Sequence, residues 1–446
     1  MEEVAALRET LDRLLALASP DVARILDRVL AGHEVTVDEG ERLFETHGRD
    51  LFLVTLVADE LRQRAVGDVV TYVVNRNINF TNVCIKRCGF CAFSRGHREE
   101  QGYFLPLEEI VRRAREAWEL GATEVCIQAG LPPKMDPDLY PTICRAIKAE
   151  LPGIHIHGFS PEEVVYGALR ARCSIAEYLE RLREAGVGSL PGTSAEILDD
   201  EVRRRISPGR ISTAQWIEVI TTAHRLGIPT TATIMYGHIE TNRHRAAHLA
   251  LIRSIQKETG GFTEFVPLSL VHSEAPMYRK RLLPDLRPGA TGEEVVKMHA
   301  IARIMLHPYI RNIQVSWVKE GPKLAQWCLH AGANDLGGTL INESISTAAG
   351  ATYGQLVPPR ELRRWIRDAG RIPAERTTLY ELRTPLTDDD PPHPLDEAAA
   401  HPERFGSYFE LIRDERFSFR KHYRIVLQQA SAVSRIAEAR PSVSGE

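Results

Sequence analysis

The sequence predicts an α/β fold, a (β/α)8 TIM-type barrel with helices before it and an extension after it. Three observations predict this. From Gly67 onward, β-rich runs alternate with helical runs, the pattern of a parallel sheet whose crossovers are helices. The alternation yields about eight strand candidates over about 300 residues, the number and length of such a barrel. The alternative, an open doubly wound sheet, lacks its fingerprints: no G-x-G-x-x-G follows the first strand and no Walker A pattern is present.

Each element has a local reason. Residues 1–66 read as a helical segment. Val4, Leu7, Leu11, Leu14 and Leu15 keep helical spacing, Ser19-Pro20-Asp21 marks a break and a new start, and Thr36 opens a further helix. Residues 67–380 form the barrel. Its first strand, 69–74, is rich in valine and runs through Asn77, Ile78 and Asn79 into a cluster of cysteines. Further strands are expected at 124–128, 154–159, 189–190, 230–236, 262–271, 313–317 and 335–338. The helices between them are expected at 106–120, 140–151, 175–185, 213–226, 243–259, 293–306 and 323–331. Residues 381–446 form the extension. Within it, 387–394 combines aspartates and prolines as an exposed linker does, and 405–438 carries aromatic and apolar residues at helical spacing.

Composition narrows the function classes. With 43 % hydrophobic and 26 % charged residues, the chain of 446 can bury an ordinary core. A net charge of -4 offers no general attraction for nucleic acid or an anionic membrane. The basic run Arg203-Arg204-Arg205 reads as a solvated helix face. The apolar stretch 51–58 is too short to span a membrane, and Met1-Glu2-Glu3 does not open like a signal peptide, so a cytoplasmic protein is expected.

Seven cysteines are too few, and odd in number, for a disulfide scaffold in a chain of this length. Three of them crowd together as C-x3-C-x2-C: Cys84, Cys88 and Cys91. Thiolates suit iron–sulfur clusters and zinc. A short loop can wrap three thiolates around three corners of a four-iron cube, and with no fourth cysteine nearby one iron stays open. An open position is what separates a catalytic metal site from a structural one. Two other readings stand beside this one. A zinc site would recruit a fourth ligand such as His97, although no second cysteine pair is present, and the three thiols could simply be inert. Cys126, Cys144, Cys173 and Cys328 read as core residues, since free cysteine packs as a small hydrophobe.

The cysteine motif with Phe90 before its last cysteine resembles the radical S-adenosylmethionine (SAM) superfamily. Three longer runs resemble its deazaflavin and futalosine-pathway subgroup: Asn75 to Cys84, Met235 to His238, and Gly260 to Val266. Two more, Phe265 to Pro276 and Gly332 to Glu343, look most like the tyrosine-using subunit of FO synthase. The resemblance covers residues 60–380. It implies a 4Fe-4S cluster on Cys84, Cys88 and Cys91, and SAM bound to the open iron. It implies that a 5′-deoxyadenosyl radical abstracts hydrogen from L-tyrosine. The Cα–Cβ bond then breaks, 2-iminoacetate leaves, and the 4-hydroxybenzyl fragment adds to 5-amino-6-(D-ribitylamino)uracil. The implied product leads to FO and coenzyme F-420. An electron donor and a second radical SAM subunit of FO synthase are the implied partners, with neither nucleic acid nor membrane. A futalosine-pathway enzyme of menaquinone synthesis is the near rival, and a non-catalytic metal-binding protein the distant one.

Barrel enzymes place chemistry at the C-terminal ends of their strands. On that warrant, with the resemblance, Phe90 would flank the adenine, Gln128 and Gly130 would meet the amino-acid part of SAM, and Glu196 would bind its ribose. Ser160 joins this cofactor group. His157, Tyr236, His272, Asn334 and Asp335 are the substrate candidates, and His238 is the candidate for proton transfer. Each has a plainer reading as a cap, a turn residue or a hydrogen-bonded structural histidine.

Overall fold

Valine-rich and polar-alternating runs form strands where the pattern places them. A computed structural model describes residues 17–383 and 392–421. Its named strands are β1 (Val69–Val73), β2 (Asn75–Ile78), β3 (Glu124–Ile127), β4 (His155–Gly158), β5 (Val187–Ser189), β6 (Thr230–Tyr236), β7 (Phe262–Ser269), β8 (Asp335–Gly338) and β9 (Ile372–Glu375). β2, β3, β4 and β5 are consecutive parallel neighbours, as are β6 and β7. Single parallel bridges join the remainder: Leu190 to Thr230, Phe265 to Ile313, Gln314 to Asp335, and Arg76 to Ile341. The last of these closes the ring. Parallel strands, helical crossovers and closure make a (β/α)8 barrel, in which no strand edge around the ring is left open.

Three details differ from expectation. The first strand is two strands. β1 pairs with β8 and β9 at the base of the barrel, and β2 pairs with β3 higher up, so the chain changes partners at Val74. β9 was not anticipated, because Ile372-Pro373-Ala374-Glu375 has neither a β-branched run nor a clean alternation. The expected strand 313–317 is reduced to bridges, and Trp317–Cys328 is already helical. That helix is kinked at Gly321, whose φ is +75°, and Pro322 follows as the first residue of its second piece. The sequence signal at 323 therefore marked the second piece alone.

The helices Pro20–Leu30, Val37–Phe44 and Gly48–Val66 pack into the same hydrophobic core as the barrel. Thr36 and Glu39 close a capping box at the second of these. Gly40 lets it lie close to Gly292–Leu306, since a Cβ there would stand 2.8 Å from Met305 Sδ. Residues 1–16 lie outside the described residues, and with them the expected helix around Val4 to Leu15. So do 384–391, most of the expected linker, and 422–446. Between 402 and 421 the extension makes short turns rather than one helix: Pro402–Phe405, Tyr408–Leu411 and Glu415–Phe417. These turns pack on the strand-like segment after the cysteines. Tyr408 lies 5.6 Å from Phe93, and Phe104 N donates to Phe417 O at 2.8 Å.

Candidate active site

Alternate residues of a strand face the same side, so each barrel strand sends every second side chain inward. Asn75, Asn77 and Asn79 follow this rule from β2, Glu124, Cys126 and Gln128 from β3, and Glu264, Val266 and Leu268 from β7. Together they line a cavity of about 400 Å³, within the size range of small-molecule sites. The three cysteines 84, 88 and 91 line its mouth, with Phe90 beside them.

The cysteine loop is pinned at its base and on its flanks. Cys84 N donates to Arg95 O at 3.0 Å and Arg95 N to Asn82 O at 2.8 Å. Asn82 also accepts from Tyr103 N, and Thr81 Oγ1 donates to Tyr103 O. The Asn79-to-Asn82 run before the cysteines therefore acts as a rivet. Gly89 N donates to Ile206 O, and Met277 N to Gly89 O. Gly130 faces the cavity because a Cβ there would stand 2.4 Å from Val83 O; its missing side chain makes room for the loop's own backbone.

Arg210 organises the mouth. Its guanidinium lies 3.0 Å from Glu162, 3.0 Å from Glu196 and 3.7 Å from Cys88 Sγ, with its centre 5.8 Å from the Phe90 ring. Burial opposes its charge, but Cys88, Glu196 and Glu162 outweigh that and hold its pKa well above the usual arginine range. Burial pushes Cys88 up to about 12, and Arg210 pulls against it. Burial also raises Cys84. Among the described residues no three His, Cys, Asp or Glu side chains converge on one point where a single ion would sit.

Deeper in, the wall is polar. Ser160 and Glu163 form a capping box, and Glu163 also accepts from Ala129 N at 2.9 Å, tying the ends of β3 and β4 together. Burial pushes Glu163 up to about 7. Gln128 accepts from Thr193 Oγ1 at 2.7 Å. His157 Nδ1 lies 2.7 Å from Ser189 Oγ, and burial lowers its pKa. At the floor Asn75 donates to Glu124 at 2.9 Å, and Arg376 bridges Asp335 at 2.5 Å and Glu264 at 3.6 Å. Burial pushes Glu264 up to about 7, against the pull of Arg376 and the bond from Tyr380.

Cys84, Cys88, Cys91, Phe90, Gln128, Gly130, Ser160, Glu196 and His157 thus share one cavity. Five expected residues do not line it. Tyr236 points outward from β6, where Thr231 and Thr233 point in, and its ring sits under Arg245 at 5.5 Å. His238 is fully buried, and both ring nitrogens are engaged, one by Met235 O at 3.0 Å and the other by Ile239 N at 2.8 Å. His272 packs against Tyr278 at 4.6 Å. Asn334 is held by Arg303, Asn312 and Ile313 N. Asp335 accepts from Arg376, Thr71 and Gly337 N. Position at the C-terminal end of a strand was the warrant for these five; Tyr236, His238 and His272 are there with their side chains held elsewhere, while Asn334 and Asp335 stand at the start of β8, the opposite end. Conversely, Lys86, Glu162, Glu163, Arg210, Glu264, Lys319 and Arg376 line the cavity and were not singled out. Ser160-Pro161-Glu162-Glu163 is a legible capping box, and the β7 alternation marks Glu264. Arg210 and Arg376 carry no local signal.

Comparisons with known proteins agree with this geometry. Residues 78–252 match the family model of the radical SAM superfamily, and residues 259–388 match the CofH/MqnC C-terminal region. A 5-amino-6-(D-ribitylamino)uracil–L-tyrosine 4-hydroxyphenyl transferase of Methanothermobacter thermautotrophicus is 52 % identical over 346 residues, 78 % of this chain and 94 % of that one. Its namesake in Archaeoglobus fulgidus is 54 % identical over 328 residues, 73 % of this chain and 92 % of that one. Among solved structures, methylornithine synthase has a TM-score of 0.62 at 19 % identity, covering 78 % of this chain and 97 % of its own. The FeFe-hydrogenase maturase HydG of Carboxydothermus hydrogenoformans scores 0.62 at 18 % identity, with 85 % of each chain covered. These two likenesses concern the fold. This chain belongs to the radical SAM superfamily and, within it, to the family of 5-amino-6-(D-ribitylamino)uracil–L-tyrosine 4-hydroxyphenyl transferases.

Proposed function

We propose that this chain joins the 4-hydroxybenzyl part of L-tyrosine to 5-amino-6-(D-ribitylamino)uracil and releases 2-iminoacetate, the step that leads to FO. One observation carries the reading: a three-cysteine rim opens onto a deep cavity, apolar in most of its surface and set with polar side chains, inside a closed barrel. The superfamily implies a 4Fe-4S cluster and SAM. The donor set fits the cluster. The three thiols share one rim, Lys86 N lies 3.4 Å from Cys84 Sγ, and burial disfavours the Cys84 and Cys88 thiolates unless positive charge such as that of iron binds them. Cys84, Cys88 and Cys91 would hold the cluster, which with SAM and one electron supplies a 5′-deoxyadenosyl radical.

The chain's own residues bind, orient and shield. Phe90, stacked beside Arg210, flanks the adenine; Glu196, fixed by Arg210, takes the ribose; Gln128, Gly130 and Ser160 shape the wall along the rest of SAM. His157, Glu124 and Asn75 offer the donors and acceptors that a ribityl chain and a uracil ring need. The barrel wall keeps bulk water from the radical. The hydrogen bonds of His238 to Met235 O and from Ile239 N argue against its use in proton transfer.

Among the described residues no helix is long and apolar enough to cross a membrane. We place the enzyme in the cytoplasm, with an electron donor and the second radical SAM subunit of FO synthase as partners. The test is anaerobic reconstitution with tyrosine, the diaminouracil, SAM and a reductant. The expected product is the 4-hydroxybenzyl adduct, read by mass spectrometry. SAM cleavage without adduct, joined with turnover of a futalosine-type substrate, would move the chain to the rival reaction. Absence of both iron and SAM cleavage would leave a non-catalytic metal-binding protein.

A further inference from the structure

Four cationic side chains line the cavity: Lys86, Arg210, Lys319 and Arg376. Three of them have carboxylates within ion-pair distance. Lys86 lies 3.2 Å from Glu162, Arg210 3.0 Å from both Glu162 and Glu196, and Arg376 2.5 Å from Asp335. Lys319 differs. Among the described residues no carboxylate or hydrogen-bond acceptor reaches its ammonium. The carboxylates that act on it from a distance are Glu343, Glu320 and Glu196. Glu343 accepts from Asn77 and Ser346 N at 2.5 Å and Glu196 from Arg210, while Glu320 stands beyond ion-pair distance of the ammonium, its Oε1 buried with no hydrogen-bond partner among the described residues. Burial pulls the Lys319 ammonium below its ordinary range, as expected of a charge short of an anion.

We propose that the Lys319 ammonium is a carboxylate-binding subsite and takes the carboxylate of the amino-acid substrate. The inference rests on the reaction proposed above, in which that substrate is tyrosine. SAM carries a carboxylate too, but position separates the two. The residues assigned to SAM follow β2, β3, β4 and β5. Lys319 follows the bridges at Ile313 and Gln314, the seventh position of the ring and opposite β4. A carboxylate arriving there turns an unpaired charge on the cavity wall into a charge-assisted hydrogen-bonded pair. It also fixes one end of the amino acid, whose Cα–Cβ bond must lie close to the radical.

The test pairs Lys319→Met and Lys319→Arg with the wild type, each reconstituted and assayed anaerobically. In the Met variant kcat/KM for tyrosine falls about 30-fold or more, the usual result of removing one partner of a buried charge pair. The KM values for SAM and for the diaminouracil stay within about threefold, and the cluster absorption is unchanged. The Arg variant, which keeps the charge on a different frame, recovers part of the loss. A second measurement needs no variant. Tyramine lacks the carboxylate, and 3-(4-hydroxyphenyl)propionate keeps it. The propionate should inhibit the wild type about tenfold more strongly, and the Met variant should not distinguish the two. Equal inhibition of the wild type, an unchanged tyrosine KM in the Met variant, or a loss that falls on SAM or the diaminouracil overturns the subsite. A wild type that forms no adduct overturns the reaction itself, and the subsite with it.

Discussion

The mouth and the floor of the cavity are built in opposite ways. The mouth takes its three thiols from residues 84–91, one short loop held by backbone hydrogen bonds to its neighbours. The floor takes Glu124 from β3, Glu264 from β7 and Arg376 from just beyond β9, with Asp335 of β8 bracing Arg376 from behind the wall. The loop carries its ligands within itself. The floor exists only once the barrel has closed, and its charges must then neutralise one another away from water. Damage at the mouth should therefore remove chemistry and spare the fold, and damage to the ion pairs of the floor should cost stability.

The largest effect belongs to Cys88→Ala. The variant should lose 5′-deoxyadenosine formation down to background, while its melting temperature stays within about 2 °C of the wild type, since Cys88 is half-buried and supports no packing core. Chromatographic detection of 5′-deoxyadenosine and a thermal melt decide it. Retained cleavage would remove Cys88 from the ligand set, and a large fall in melting temperature would break the contrast drawn above.

Arg376→Met is the converse. It leaves Asp335 fully buried with only Thr71 and Gly337 N as partners, and Glu264 without its cation. Breaking a buried ion pair from one side costs about 3–5 kcal/mol. Urea unfolding should show the midpoint falling accordingly. An unchanged midpoint would mean that the floor is not held by this ion pair.

The same contrast sets what the sequence reveals. Cys84, Cys88 and Cys91 are legible because their spacing is local, and so are most barrel strands, whose runs of β-branched residues repeat between helices. The capping boxes at Thr36 and Ser160 are written in four consecutive residues each. Arg210, by contrast, reaches Cys88, Glu162 and Glu196 from a loop that looks like a plain Pro-Gly turn. β9 and Arg376 are no more visible, because β9 is defined by its partner β1 and not by its own residues. Tyr236 and His238 sit at the C-terminal end of β6 as expected, where only the parity of the strand says which way a side chain points, whereas Asn334 and Asp335 stand at the start of β8, the opposite end from the one expected. For β6 that parity is available in outline: if Thr231 and Thr233 face in, Tyr236 faces out.

Glu163 joins the two regions, since it holds the exits of β3 and β4 beneath the mouth. Burial gives its carboxyl a pKa of about 7 in the fold, against an ordinary 4.5. Between those values the native state binds more protons than the unfolded one, so its contribution to stability falls as pH rises from 4.5 to 7 and is flat above. The fall amounts to roughly 3 kcal/mol. Glu163→Gln cannot ionise, so its urea midpoint should decline less between pH 5 and pH 8. Some slope remains, because Glu264 is shifted in the same direction. Equal slopes in the two proteins would contradict the burial of an ionisable Glu163.

The smallest effect is expected from Tyr236→Phe, and it bears directly on which way β6 presents its last residue. The Tyr236 hydroxyl is buried with no hydrogen-bond partner among the described residues, and its ring, not its oxygen, meets Arg245. Phenylalanine keeps the ring and its cation–π contact and removes an unsatisfied polar group. Stability should hold or rise by up to about 1 kcal/mol. If the residue lies outside the cavity, kcat and the KM for tyrosine stay within about twofold of the wild type. A residue that donated its hydroxyl to substrate would lose that bond on substitution, so a tenfold rise in the KM for tyrosine would put Tyr236 back among the substrate ligands and reverse the parity assigned to β6.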